Sequence, residues 1–182
     1  MRKIIAGLFM SLDGVVESPE QWHFPYFNDE MGAAVEAQMA ESDAMLLGRR
    51  TYQEFAAYWA DKGSDEPFAD QMNKTPKYVA STTLDKVEWE NSTLIEGNVV
   101  EELTKLKQQP GKNISITGSA TLVRSLLQDG VLDELRLLVH PIVVGHGKRL
   151  FEEGTGQVPL KLVDSKTFTT GVLSLTYQPV GE

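Results

Sequence analysis

The sequence lacks cysteine altogether, has only three histidines and contains no long apolar run. Without cysteine, the protein forms no disulfide and performs no thiolate chemistry. The histidines, His23, His140 and His146, show neither helical nor short-loop ligand spacing, so we expect no metal site. A membrane-spanning helix needs about 18 consecutive apolar residues, and the absence of such a run argues against a membrane protein.

Positive charge is also scarce, because 17 lysine and arginine residues stand against 26 aspartate and glutamate residues, for a net charge of −9. Binding to nucleic acid needs a basic face that displaces counterions from phosphates, so this balance argues against a nucleic-acid partner. Any site for a small anion must therefore be local. The chain starts directly with a strand pattern and shows no secretory leader, so we expect a cytoplasmic protein.

The sequence does have the composition and pattern of an α/β protein. Its 182 residues, 41% apolar and 24% charged, fit one domain over residues 1–182 with a sizeable core. Strand and helix patterns alternate first, and strand patterns stand alone at the end. This order predicts a three-layer α/β fold, with a mixed, mostly parallel central sheet and helices on both faces. A strand is expected over residues 135–144, and residues 160–168 and 172–179 should form a C-terminal antiparallel hairpin.

A strand, a glycine turn and a helix follow one another around Gly118. Apolar residues alternate along the strand before this glycine and recur with helical spacing after it. The helix should begin near Ser119 and point its free N–H groups and positive dipole end at the turn, which suits a phosphate group. The alternative is that glycine and serine serve only steric and capping needs.

A second turn of this kind follows a short buried strand at Gly48. Arg49 and Arg50 come next, and Thr51 and Glu54 have the spacing of a capping box. Cations at a helix N-terminus oppose the macrodipole by about 0.3–1 kcal/mol each, so an anion should compensate them. The alternative is that both arginines extend into water or pair with some of the 26 acidic residues.

Five motifs in a fixed order carry a resemblance to a known family. They are Ser-Leu-Asp-Gly at 11–14, Leu-Gly-Arg-Arg-Thr-Tyr at 47–52, Val-Ala-Ser at 79–81, Thr-Gly-Ser-Ala-Thr-Leu at 117–122, and Val-Leu-Asp-Glu-Leu at 131–135. The last leads to Pro141 and to Gly-His-Gly-Lys at 145–148. With these motifs the chain resembles the dihydrofolate-reductase-like superfamily, closest to the reductase domain of bifunctional riboflavin-biosynthesis proteins.

The resemblance implies NADPH as cofactor. Two turns would bind the two ends of its pyrophosphate, with these residues as contacts: Gly48, Arg49, Arg50, Thr51, Gly118, Ser119, Ala120, Thr121 and Leu122. Ser81 and Thr82 would lie near the adenosine 2′-phosphate. One or both arginines would be its counter-ions, since a guanidinium binds phosphate in a bidentate manner.

The chain departs from the family pattern on the substrate side. Dihydrofolate reductases have a Trp-x-x-Pro-x-acid pattern, but here Trp22 to Tyr26 is followed by Phe27, so the pterin-binding carboxylate is missing. Asp13 resembles a residue at the substrate side of the riboflavin reductases, although Asp-Gly is also an ordinary turn pair. We expect Trp22, Phe24 and Phe27 to wall an apolar substrate pocket, with Asp13 as the catalytic candidate.

Taken together, the resemblance implies an NADPH-dependent reductase of a small heterocyclic substrate, similar to 5-amino-6-(5-phosphoribosylamino)uracil reductase. NADPH supplies the hydride in such enzymes. The alternatives are a non-catalytic nucleotide-binding relative and dihydrofolate-reductase-type activity on a pterin. Apolar strands near the C-terminus also make a homodimer through sheet edges plausible.

Overall fold

One mixed sheet organises the computed structural model, which describes residues 1–63, 65, 69–154 and 156–180. Within these residues the sheet has eight strands in the order β4-β3-β2-β5-β1-β6-β8-β7. Neighbours from β4 to β6 are parallel, whereas β8 is antiparallel to both β6 and β7. The strands are β1 Ile4–Ser11, β2 Ser42–Gly48, β3 Lys77–Ala80, β4 Ser92–Ile95, β5 Asn113–Thr117, β6 Glu134–His140, β7 Leu160–Thr167 and β8 Leu173–Pro179.

Helices cover both faces of this sheet, which confirms the predicted fold class. Helices α4 and α5 pack on one face, against Ile4, Ile114 and Ile116, all three fully buried. On the opposite face, α1 contacts Phe9 and Leu138, while α2 and α3 pack against Met45 and Leu47. The helices are α1 Asp29–Ala40, α2 Arg49–Trp59, α3 Ala69–Lys74, α4 Val99–Lys107 and α5 Ala120–Gln128. No helix in these described parts of the chain is long and apolar enough to cross a membrane.

Several local predictions are confirmed and two are wrong. Helix α5 has Ser119 as its N-cap and is followed by Gly130 with φ of 73°, as its glycine boundaries predict. The predicted strand over residues 135–144 instead ends at His140, because Pro141 cannot donate to a strand ladder. The predicted capping box is also wrong. Helix α2 already begins at Arg49, so Thr51 lies inside its first turn and its hydroxyl group is free for another contact.

Candidate active site

The turns at Gly48 and Gly118 touch each other, because β2 and β5 are neighbouring parallel strands that end at the same edge of the sheet. The Gly48 N–H donates to the Ser119 hydroxyl at 3.0 Å, and that hydroxyl donates to Oγ1 of Thr51 at 2.8 Å. The Ser119 N–H donates to the same Oγ1 at 3.1 Å. We call residues 48–51 and 118–119 the paired turns. They bring the two candidate phosphate sites of the sequence into one site.

The backbone of the second turn is left-handed at two successive residues. Gly118 has φ of 71° and Ser119 has φ of 52°. A Cβ atom at Gly118 would lie 3.4 Å from Oγ1 of Thr51, so glycine serves both the conformation and the close approach. The left-handed serine costs about 1–2 kcal/mol, and its three hydrogen bonds to the first turn offset that cost.

Two helices therefore begin side by side at the paired turns. The first N–H groups of an α-helix have no partner within the helix, and its N-terminus carries roughly half a positive charge. Helix α2 presents the N–H groups of its first turn, which begins at Arg49, and α5 presents those of Ala120, Thr121 and Leu122. This arrangement suits a ligand with two linked anionic groups.

The two arginines at the start of α2 have different surroundings. Arg50 pairs with Glu54 at 3.1 Å and with Glu17 at 3.8 Å. Arg49 donates to the hydroxyl of Thr83 at 3.0 Å, and among the described residues no carboxylate lies within ion-pair distance of it. Pairing with acidic residues thus accounts for Arg50, whereas Arg49 is exposed and has no acidic partner among the described residues.

Arg49 points at the turn that follows β3. There the Ser81 hydroxyl accepts hydrogen bonds from the N–H groups of Thr83 and Leu84, at 3.1 and 3.2 Å. Ser81 and Thr82 line a small cavity of about 430 Å³ beside this turn. Arg49 thus reaches this turn through Thr83, whose hydroxyl lies 3.3 Å from that of Ser81, and the place of Ser81 and Thr82 at a 2′-phosphate stays a prediction. The run of three hydroxyl residues at 81–83 was the sequence signal for Thr83.

A cavity of about 1470 Å³ runs from the paired turns along the sheet face. Single ligand sites usually measure about 300–1,000 Å³, so a dinucleotide and a second molecule both have room here. Near the middle of the sheet, strands β1 and β5 form the floor of the cavity with Gly7, Ser115 and Thr117. Helices α1 and α2 form its walls there with Ala34, Val35, Phe55 and Trp59.

The aromatic residues predicted to wall the pocket lie elsewhere. Trp22 is buried, and its ring meets the edge of His140 with centroids 5.1 Å apart. Phe24 and Phe27 are 63% and 53% exposed. None of the three is among the residues that line the large cavity. Its aromatic lining residues are Phe9, Phe55, Trp59 and Phe168. The spacing of four between Phe55 and Trp59 on α2 resembles an ordinary core stripe in the sequence.

Asp13 anchors a neighbouring loop. Its carboxylate accepts hydrogen bonds from the Ser11 hydroxyl at 2.5 Å and from the N–H groups of Val144 and Gly145 at 3.1 and 2.9 Å. These bonds, with that from Ser11 the strongest, lower the pKa of Asp13 to about 2. The group is therefore ionised at neutral pH, and both of its oxygens already accept hydrogen bonds from the protein. These contacts account for Asp13 as a turn anchor, and its catalytic assignment stays a prediction.

Burial lowers the pKa of both His23 and His140, which are uncharged at neutral pH. The described residues contain no group of three or more His, Asp or Glu side chains that could hold a metal ion.

The contact between the paired turns predicts a measurable coupling. Because Thr51 and Ser119 share hydrogen bonds, the losses of unfolding free energy in Thr51→Val and Ser119→Ala should not add. We expect an interaction energy of about 1 kcal/mol or more in a double-mutant cycle followed by urea unfolding. The exposed Thr93→Val, combined with Ser119→Ala, is the matched control. Simple additivity of the Thr51 and Ser119 losses would contradict the contact.

The anchoring role of Asp13 predicts a pH dependence. Its pKa is about 2 when folded and about 3.9 when unfolded, so its stabilisation is complete above pH 4 and disappears as pH falls through 2. Asp13→Asn should therefore lower the free energy of unfolding most above pH 4, and the difference from wild type should shrink towards pH 2. Urea unfolding across this range measures it, with exposed Asp129→Asn as the control. A difference that is constant with pH would contradict this role.

Comparison with known proteins agrees with the geometry. The family model of the RibD C-terminal domain matches residues 2–174. The uncharacterized protein YyaP of Bacillus subtilis is 31% identical over 180 residues, which cover 97% of this chain and 94% of YyaP.

Solved structures show the same fold. A putative riboflavin biosynthesis protein from Shewanella sp. PV-4 superposes with a TM-score of 0.80 at 22% identity, covering 98% of this chain and 99% of that one. Dihydrofolate reductase from Enterococcus faecalis gives a TM-score of 0.63 at 16% identity, with 97% and 96% covered. The resemblance read from the sequence motifs is confirmed, and the chain belongs to the RibD C-terminal domain family.

Proposed function

We propose that this protein is an NADPH-dependent reductase of a small heterocyclic compound, similar to 5-amino-6-(5-phosphoribosylamino)uracil reductase. One observation carries the proposal. Two helix N-termini lie side by side at the paired turns, and Arg49, which has no carboxylate partner among the described residues, lies at the hydroxyl-rich turn of Ser81 and Thr83. Together they offer sites for a pyrophosphate and for a third, separate phosphate.

The residues present fit NADPH. The N–H groups of Arg49 to Thr51 and of Ala120 to Leu122 would hold the pyrophosphate, and Gly118 lets the two turns approach each other closely. Arg49, Ser81 and Thr83 would hold the 2′-phosphate, because a guanidinium and hydroxyl donors suit its three oxygens. Bound NADPH supplies the hydride. The chain's own residues orient the cofactor and enclose the substrate, since the cavity is continuous from the paired turns to the middle of β1.

Relatives support the same reaction class. The bifunctional deaminase and 5-amino-6-(5-phosphoribosylamino)uracil reductase of Thermotoga maritima shares the fold with a TM-score of 0.68, and this chain covers 57% of its length. The riboflavin biosynthesis reductase Rib7 of Saccharomyces cerevisiae gives 0.64, and the Enterococcus faecalis dihydrofolate reductase with that fold is complexed with NADP(H).

Pterin reduction is a weaker alternative because the acid that it needs is missing. Phe27 is exposed, and the nearby Glu30 accepts hydrogen bonds from the N–H and the hydroxyl of Thr169, at 2.9 and 2.8 Å. These bonds lower the pKa of Glu30, so it is not a proton donor at neutral pH. The missing carboxylate at Phe27 also keeps a non-catalytic nucleotide-binding protein as the second candidate.

Titration with NADPH and NADH, followed by nicotinamide fluorescence, tests the proposal. A reductase of this kind binds NADPH more tightly than NADH, and it oxidises NADPH when one of a panel of heterocyclic compounds is added. Tight NADPH binding without oxidation by any compound would favour the non-catalytic candidate. Absence of binding to either nucleotide would contradict both.

Arg49 and Arg50 should differ in this assay. Removal of a charged hydrogen-bonding partner of the 2′-phosphate costs about 1.5–3 kcal/mol, so Arg49→Ala should weaken NADPH binding about tenfold or more. NADH lacks the 2′-phosphate, so its binding should weaken by less than about threefold. Arg50→Ala is the matched control, and it should change the affinities for NADPH and NADH by the same factor. Equal losses for NADPH and NADH in Arg49→Ala would reject its assignment.

The homodimer and the cytoplasmic location expected from the sequence remain proposals. Strand β7 is an edge of the sheet, and its Leu162 and Val163 are 49% and 42% exposed, which supports pairing with a second copy. Light scattering at micromolar concentration measures the oligomeric state, and a purely monomeric protein would contradict the dimer.

A further inference from the structure

Helix α1 carries a polar side chain at a position that faces the sheet. Met31, Ala34 and Val35 form its inner face and pack against Phe168 and Val172. Gln38 comes three residues after Val35 and four after Ala34, so it continues this face. An apolar residue is usual at such a position, and the sequence pattern by itself favours the neighbouring Met39 as the next residue of this inner face. The amide of Gln38 instead lies over the middle of β1.

Gly7 makes room for this amide. A Cβ atom at Gly7 would lie 2.2 Å from Nε2 and 2.6 Å from Oε1 of Gln38, so the amide rests directly on the strand backbone. Gly7 stands inside a regular strand and is not among the glycines with positive φ. The backbone conformation therefore does not require a glycine at this position, whereas the position of the Gln38 amide does.

The amide has hydrogen-bonding capacity that the protein does not use. Across the described chain, no group forms a hydrogen bond with the side chain of Gln38 or with the hydroxyl of Thr117, which pairs with Gly7 in the sheet. The Ser115 hydroxyl reaches only the carbonyl of Ala44, at a long 3.5 Å. Gln38, Thr117 and Ser115 all line the large cavity. These three side chains are polar, uncharged and available to a ligand. Arg136, which pairs with Gly7 from β6 and also lines the cavity, is held by Glu134 and Glu41.

The two helices that flank this floor present apolar side chains or carboxylates that are already paired. Val35, Phe55 and Trp59 line the same cavity from the two flanking helices. Glu30 and Glu54, the carboxylates that α1 and α2 contribute to the cavity, are bound to Thr169 and Arg50. A flat, uncharged ring fits such a space better than a cation or an anion, because no unpaired charge from these helices awaits it.

We propose that Gln38 is a specificity-determining residue of the proposed reductase, and that its amide pairs with the adjacent N–H and C=O groups of an uncharged ring amide in the substrate. A side-chain amide offers a donor and an acceptor in one plane, which matches that edge of a ring in either orientation. This inference rests on the proposed function, and it names how the same cavity selects its substrate.

Binding of a matched pair of compounds tests this inference. The pair is 5,6-diaminouracil and its 1,3-dimethyl derivative, in which both ring N–H groups are replaced by N-methyl groups. Calorimetric titration of the wild-type protein with NADPH bound should give at least about tenfold tighter binding of the unmethylated ring, because methylation removes the paired edge. Equal affinity for the two rings, or no binding of either at millimolar concentration, would overturn the inference.

Two variants assign the preference to Gln38. Gln38→Met keeps the length of the side chain but removes both hydrogen-bonding groups, so the preference should fall to about twofold or less. Gly7→Ala keeps the amide but displaces it from the strand, and it should cause the same loss. Gln109→Met is the matched control, because Gln109 is exposed just after α4 on the opposite sheet face. A preference that survives in both Gln38→Met and Gly7→Ala would overturn the assignment.

The affinity of each variant for NADPH separates this inference from the proposed function. Neither Gln38 nor Gly7 belongs to the paired turns or to the helix starts whose N–H groups would hold the pyrophosphate, so both variants should bind NADPH as the wild type does. Wild-type protein that binds NADPH but does not distinguish the two rings would refute the role of Gln38 and leave the proposed function standing. Wild-type protein that does not bind NADPH would refute both.

Discussion

The hydroxyl group of Ser119 is the contact on which the site depends. It accepts from the N–H of Gly48 and donates to Thr51, so it fixes the start of α5 against the start of α2. The adjacency of β2 and β5 brings the two turns near each other, but strand pairing alone does not set the relative direction of the helices. The left-handed conformation of Ser119 is unfavourable by itself, and it persists because the partners of its N–H and hydroxyl lie on the facing turn.

Local positive potential in an acidic protein follows from this contact. The chain has a net charge of −9, yet its paired turns combine two helix N-termini with Arg49, which has no carboxylate partner among the described residues. Backbone N–H groups fixed by the fold need no reorganisation when an anion binds. A site of this kind can attract a phosphate without a basic surface, so the net negative charge of the chain does not argue against the proposed cofactor.

The sequence predicted the structure well where a backbone conformation requires a particular residue type. Gly118 and the strand pattern before it located the turn, and the converging strand ends correctly placed Gly48 and Ser81 near one another. The side-chain partners were not predictable in the same way. Thr51 has the spacing of a capping-box residue, but its hydroxyl bonds to Ser119 across 68 positions of sequence, a distance that no local pattern encodes.

The substrate side was the least predictable part, for a packing reason. Trp22 is buried against His140 and Phe27 is exposed, whereas the cavity lies between α1 and α2. A helical stripe tells which face of α2 is apolar, but it does not tell that Phe55 and Trp59 border an open space. The position of Gln38 was not predictable for a related reason, because its place over Gly7 depends on how α1 crosses β1.

Backbone amide spectra recorded during titration with NADPH test the central claim most directly, because they report on both halves of the paired turns at once. The account predicts that the ¹H–¹⁵N signals of Arg49 to Thr51 and of Ala120 to Leu122 shift together, with one dissociation constant. It also predicts that NADH leaves the Arg49 side-chain signal nearly unchanged. Shifts confined to one of the two helix starts, or to neither, would contradict it.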